Sequence, residues 1–160
     1  MKLTVAAVGK LKAGPERDLY DRYAGRIDAA GKQAGLGPLT SLGISESRKK
    51  TADGRKHEES TQLLERIGEG SVILALDERG KGMSSDAFAR MLADYRDTGA
   101  DRAAFVIGGA DGHATDMRSQ AGRLISLGPM TMAHGLARVV LAEQLYRAIT
   151  ILTGHPYHRA

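Results

Sequence analysis

Apolar residues fall along this chain in two alternating patterns. The first is the short continuous run, found at Lys2–Val8 (KLTVAAV), Val72–Leu76 (VILAL) and Ala103–Ile107 (AAFVI). Such runs have strand length and suit strands buried on both faces of a parallel sheet. Two shorter strands are predicted near Leu39–Leu42 and Leu124–Leu127. The second pattern has helical spacing. Pro15 suits the first turn of a helix reaching about Gly31, with Leu19, Tyr20, Tyr23 and Ile27 on one face. The polar stretch SESRKKTADGRKHEES predicts a mobile loop leading into a helix carrying Leu63, Leu64 and Ile67. Ser84 or Ser85 can cap a third helix bearing Phe88, Met91, Leu92 and Tyr95. Strands alternating with helices predict an α/β fold, a mainly parallel sheet with flanking helices, in one domain over residues 1–160.

The last helix, from Ala133 or His134 to Leu152, breaks the amphipathic rule. Leu136, Val139, Val140, Leu141, Leu145, Ile149 and Leu152 cover most of its circumference. A helix apolar nearly all round is buried on more than one side. One side is expected to face the sheet and the other a second subunit, which predicts a homodimer with this helix in the interface.

Composition narrows the chemistry. The absence of cysteine excludes disulfides, a thiolate nucleophile and Cys-based metal sites. No apolar run is long enough to span a bilayer, and the opening MKLTVAAVGKLKAG lacks an extended apolar core with a cleavage site, so a cytoplasmic protein is expected. The net charge of +4 permits an anionic partner such as RNA.

Several constellations could carry function. Gly108, Gly109 and Gly112 follow the run AAFVI, where open α/β sheets bind ligands. Their spacing is neither the dinucleotide fingerprint nor a P-loop, and a tight turn explains them equally well. Asp77, Glu78, Gly80 and Lys81 form a polar loop beyond VILAL, open to acid–base work but read more simply as solvated. His134, His155 and His158 lack the ligand set of a metal centre, so no metal is expected, and a general base or an RNA contact fits them better. Glu143 and Arg147 have the spacing of an ordinary helix ion pair. Arg138 and Arg147 lie on opposite sides of that helix, so at least one guanidinium needs an anionic partner, either Glu143 or a substrate. Arg48, Lys49, Lys50, Arg55, Lys56 and His57 form the densest basic cluster, read as solvated surface or as phosphate contacts. The chain closes on HPYHR, an unusual concentration of ring and guanidinium groups for a terminus.

Taken in order, VILAL-DERGK, FVIGGADG, LGPMTM, AHGLARVVLAEQLYRA and HPYHR resemble the ribosomal RNA large-subunit methyltransferase H family. The likeness spans the chain, is strongest from Val72 onward, and is weak between about Gly31 and Ser60. Ala133-His134 stands where members commonly read Pro-His. The resemblance implies a SPOUT-type fold with a C-terminal trefoil knot, an obligate homodimer, S-adenosylmethionine as cofactor, and methylation of N3 of a pseudouridine in 23S rRNA of the assembled ribosome. It implies that Leu76, Gly108, Gly109, Leu127, Gly128, Pro129, Met130, Thr131 and Met132 hold the cofactor. Within that chemistry His158 is the candidate base, Arg147 the anion stabiliser and Tyr157 a positioning group. Arg138 and His134 are structural or RNA-contacting, and Arg159 is a candidate RNA contact. Because the tail leaves an expected interface helix, Tyr157 and His158 are expected to complete the partner subunit's site. A SPOUT enzyme acting on tRNA and a non-catalytic RNA-binding dimer are the alternatives.

Overall fold

The computed structural model describes residues 1–158; Arg159, a candidate RNA contact, lies outside the described residues. Five parallel strands form one sheet: β1 (Lys2–Val8), β2 (Leu39–Ile44), β3 (Ser71–Lys81), β4 (Arg102–Ile107) and β5 (Arg123–Ile125), in the order β2-β1-β4-β3-β5. The helices are α1 (Pro15–Gly31), α2 (Ala52–Ile67), α3 (Ser85–Asp97), α4 (Thr115–Gln120) and α5 (His134–Thr153). Leu3, Val5 and Ala7 of β1, with Phe105 and Ile107 of β4, enter a core shared with α1, α3 and α5. Ala6, Val8, Ala104 and Val106 point the other way, toward Leu63 and Ile67 of α2 and Met117 of α4. Helices thus cover both faces, which is why the strand sequences read as unbroken apolar runs.

Local chemistry moved several boundaries from their expected places. The polar stretch after β2 is shorter than expected, because Thr51 caps α2 by accepting the Gly54 amide at 3.1 Å and Asp53 follows in the first turn. Leu19, assigned to the apolar face of α1, is 38% exposed, while Tyr20 and Ile27 are buried. The short α4, whose buried contribution is Met117, is too brief to show a period. Strand β3 runs through the expected loop at 77–81, where Lys81 pairs with Ile125 and accepts the Ser126 amide at 3.2 Å. There the main chain at Gly80 lies directly on β5. A Cβ at Gly80 would sit 2.6 Å from the Ile125 carbonyl carbon and 2.7 Å from its nitrogen.

Within its own chain, helix α5 packs against α1 and α3 and buries Val139, Leu141, Leu145, Tyr146 and Ile149. What stays partly open is a narrower stripe of Leu136, Val140, Arg147 and Ile151. Gly154 ends the helix in the left-handed region, letting the His155 amide reach the Thr150 carbonyl at 2.9 Å.

Candidate functional site

A cavity of about 550 Å³ opens at the carboxyl ends of β3, β4 and β5. Three segments frame it: Leu76–Glu78 of β3, the turn Gly108–His113, and the stretch from Ile125 to His134. Leu76, Gly108, Gly109, Leu127, Gly128, Met130, Thr131 and Met132 all line it; Pro129 does not. His134, considered as an RNA contact, lines it as well.

Glycine is required in the turn by close approach. A Cβ at Gly108 would stand 3.0 Å from the Gly112 carbonyl carbon, and one at Gly109 would stand 2.5 Å from Glu59 Oε2. The turn therefore presents bare main chain to the cavity. Beneath it, the buried Glu59 carboxylate accepts the Ser47 amide at 2.8 Å through Oε1, while Oε2 is buried without a partner among the described residues. On the rim, Asp111 takes a two-pronged contact from Arg55, Nε to Oδ2 at 2.7 Å and Nη2 to Oδ1 at 3.1 Å.

Asp77 is not the solvated loop residue that its neighbours suggested. Burial pushes its carboxyl upward, but the Arg79 amide at 2.9 Å and the Arg118 guanidinium at 2.6 Å outweigh that and hold it below the usual carboxylate range. A carboxylate so stabilised is a poor proton acceptor. Its charge is matched by Arg118, and the pair fixes this edge of the cavity.

His113, which sequence reading passed over, is 2% exposed and bonds the Leu76 carbonyl through Nε2 at 3.0 Å. A carbonyl only accepts, so Nε2 carries the proton, and Nδ1 makes no hydrogen bond among the described residues. Burial holds the ring below its ordinary value of 6.5. A histidine directly after a glycine turn at a strand end was the signal available in GGADGH. The unfolded chain takes up this proton first, so folding stability should be full above the ordinary histidine range and fall as the pH drops below it. The slope owed to this residue is at most about 1.4 kcal/mol per pH unit. Urea titrations from pH 8 to pH 5 should show the decline, and His113→Gln, which keeps a donor, should flatten it. Parallel pH profiles for the two proteins would exclude His113 as the cause.

The groups considered for catalysis gather elsewhere. Arg147 donates to Glu143 Oε1 from Nε at 3.0 Å and Nη2 at 2.6 Å, the ordinary helix pair. The Tyr157 hydroxyl donates to the same oxygen at 3.1 Å and lies 3.3 Å from the Tyr23 hydroxyl. Its ring meets Tyr146 edge-on at 4.7 Å, and the Arg147 guanidinium stands 5.1 Å from its centre. Burial, with the Tyr23 hydroxyl and Glu143, pushes the phenol well above its usual range, so Tyr157 is a neutral donor. His158 Nδ1 is buried without a partner among the described residues. None of these three lines the cavity of its own chain.

Of the two roles open to Arg138, structural or RNA-contacting, its surroundings fit the structural one. It is 7% exposed, and its Nη2 donates to the carbonyls of Val8 at 2.6 Å and Gly9 at 2.7 Å. These are the last acceptors of β1, and the guanidinium is used in closing that strand. Burial pulls its pKa down.

The cavity suits S-adenosylmethionine on chemical grounds. Ile107, Ile125, Leu127 and Met130 offer apolar walls for a purine. Bare main chain at Gly108 and Gly109 offers hydrogen bonds, and Glu78 offers negative charge toward a sulfonium and an ammonium, while Asp77 and Asp111 are paired with Arg118 and Arg55. Among the described residues no group of three or more His, Asp or Glu is placed to hold a metal ion, and no helix is long and apolar enough to cross a membrane.

Comparison with known proteins fits this picture. Residues 1–158 match the family described as "Predicted SPOUT methyltransferase". The ribosomal RNA large subunit methyltransferase H of Xanthobacter autotrophicus is 50% identical over 160 residues, covering all of both chains. The protein of the same name from Rhizobium etli is 48% identical over 159 residues, 99% of each. Among solved structures, the SpoU methyltransferase AviRb from Streptomyces viridochromogenes, in complex with AdoMet, aligns at TM-score 0.43 and 13% identity over 91% of this chain and 57% of its own. By the first two of these comparisons, the chain belongs to the ribosomal RNA large subunit methyltransferase H family of SPOUT methyltransferases.

Proposed function

We propose that this protein methylates N3 of a pseudouridine in large-subunit ribosomal RNA, using S-adenosylmethionine. The observation that carries the reading is a glycine-floored cavity at the carboxyl edge of the sheet in a chain about 50% identical, end to end, to proteins named as rRNA methyltransferases. The cofactor supplies an electrophilic methyl on a sulfonium. Gly108, Gly109 and the stretch from Leu127 to Met132 hold it, and Glu78, which has no cation within 4.0 Å among the described residues, is the uncompensated acid of the lining. The remaining task is to turn the acceptor into a nucleophile. N3–H lies between two carbonyls, and a base removes its proton while a cation steadies the resulting imide anion. His158 takes the proton. Arg147 is the cation, since its Nη1 makes no hydrogen bond among the described residues. Tyr157 fixes the tail through its neutral hydroxyl.

The functional unit in this reading is a homodimer, with the tail of one subunit completing the cavity of the other. Two features support it. The catalytic candidates lie off the cavity of their own chain, and an apolar surface of Leu127, Met130, Met132 and Leu136 is exposed around its mouth, Met130 at 84%. The trefoil knot belongs to the same proposal, and the close passage of Gly80 over β5 is consistent with it.

Mass spectrometry of ribosomal RNA nucleosides tests the function. A strain lacking the gene should lose 3-methylpseudouridine and regain it on re-expression. Unchanged nucleosides in the deletion strain, with a methylated position missing from tRNA instead, would replace this substrate with the other.

A further inference from the structure

All five strands are parallel, so all five carboxyl ends lie along one edge of the molecule. The cavity occupies the β4, β3 and β5 portion of that edge. The β2 and β1 portion carries something different. Lys10 and Lys12 follow β1, and Arg48, Lys49 and Lys50 follow β2; all five side chains are exposed. Among the described residues, Lys10, Lys12, Arg48 and Lys50 have no carboxylate within 4.0 Å, and Lys49 reaches Glu58 only at 4.0 Å. Glu46 is the acidic residue of the same stretch, beside Gly9.

This basic segment is built in place. Arg55 Nη1 donates to the main-chain carbonyls of Lys49 at 3.1 Å and Lys50 at 3.3 Å. The rest of the same guanidinium grips Asp111, on the rim of the cavity. At the start of the segment, the Ser47 amide is held by Glu59, which lies under Gly109. One arginine and one glutamate therefore fasten the three cations to the turn that floors the cavity. A loop needed only for solubility has no reason to be tied at both ends to a binding site.

We infer that the β1–β2 half of the carboxyl edge, through Lys10, Lys12, Arg48, Lys49 and Lys50, carries the phosphodiester backbone of the RNA past the cavity. The inference rests on the reading that the substrate is ribosomal RNA. Exposed lysines and arginines on an ordered loop meet phosphates without reading sequence, and they fix the register of the strand. The neighbouring cavity then receives one base from a backbone already held. Fastening the cations beforehand removes part of the ordering cost that a mobile basic loop incurs on binding.

The test uses the full-length double variant Arg48→Gln/Lys50→Gln. Neither side chain has a hydrogen-bonded or ionic partner among the described residues, so the urea midpoint and the calorimetric affinity for S-adenosylmethionine should match the parent protein. Filter binding to protein-free large-subunit rRNA should weaken by about tenfold or more, and the slope of log affinity against log salt should flatten by about one unit per charge removed. The KM for unmethylated large ribosomal subunits should rise in step. Equal RNA affinity and equal salt slope in variant and parent would overturn the inference. So would a loss confined to intact subunits with naked RNA unaffected, because that would place an acidic protein against this surface. The underlying reading fails separately. If the parent protein binds RNA with the expected sensitivity to these charges yet methylates no ribosomal subunit, the backbone track stands and the substrate assignment falls.

Discussion

Gly80→Ala should remove most of the folded protein, at a cost above about 4 kcal/mol, the range reserved for severe packing conflicts. The added Cβ would meet main chain on every side of β5: Ile125 carbon at 2.6 Å, Ile125 nitrogen at 2.7 Å and Leu124 carbon at 2.7 Å. Side chains can rotate away from an intruding methyl, whereas a strand held in the sheet moves only by giving up its pairing with β3. Leu127, Gly128 and the following loop hang from β5, so the cavity should be lost with it. Gly82→Ala is the control, because a Cβ there has nothing within 4 Å. Its urea transition should stay within about 0.5 kcal/mol of the parent. Circular dichroism during urea unfolding reads both variants. A Gly80→Ala protein with a normal midpoint would mean that the 77–83 segment does not press on β5.

Removing Pro156–Ala160 should cut methyl transfer by roughly 10²- to 10⁴-fold, the usual contribution of a general base. Affinity for S-adenosylmethionine should stay close to that of the full chain, since no described tail residue lines the cavity. Some stability should be lost too. Tyr157 gives up its bond to Glu143, its contact with Tyr23 and its edge-on packing with Tyr146. Mixed dimers decide whose cavity the tail serves. One subunit would lack the tail, and the other would carry Gly109→Val, whose side chain collides with Glu59. If sites form across the interface, the shortened subunit keeps an intact cavity and receives its partner's intact tail, so activity should return. A verified heterodimer with no recovery would assign the tail to its own chain.

Much of this architecture could be read from the sequence, for reasons that differ by element. The three long strands were legible because helices on both sheet faces leave no polar alternation. Helix α1 was legible from Pro15 and its apolar spacing. The burial of α5 was legible from its all-round apolar surface, but its packing against α1 and α3 was not, because a one-dimensional pattern does not say which elements of the chain cover which side. The length of β3 was hidden because Asp77–Lys81 reads as polar loop. It is strand because Lys81 meets Ile125, more than forty positions away. The cofactor candidates were legible through family likeness and through glycines at a strand end. His113 and Glu59 were not, because each owes its place to a distant contact, a Leu76 carbonyl or the Ser47 amide, and the burial of Asp77 beside Arg118 was hidden for the same reason. The role of Arg138 stayed open between structure and RNA because a guanidinium serving two main-chain carbonyls looks, in one dimension, like one awaiting a phosphate.

The residues that line the cavity all fall between Leu76 and Ala137. The first 75 residues contribute none of them, yet they carry β1, β2, α1, α2 and the basic segment. The protein is thus divided along its length into a portion that sets the reaction and a portion that meets the outside. These two portions can drift at different speeds. A lineage could rewrite residues 45–51, retuning which RNA surface it accepts, while the chemistry encoded after residue 75 is inherited intact. For an engineer this division marks the N-terminal half as the place to vary substrate choice, with the methyl-transfer machinery as a constant background.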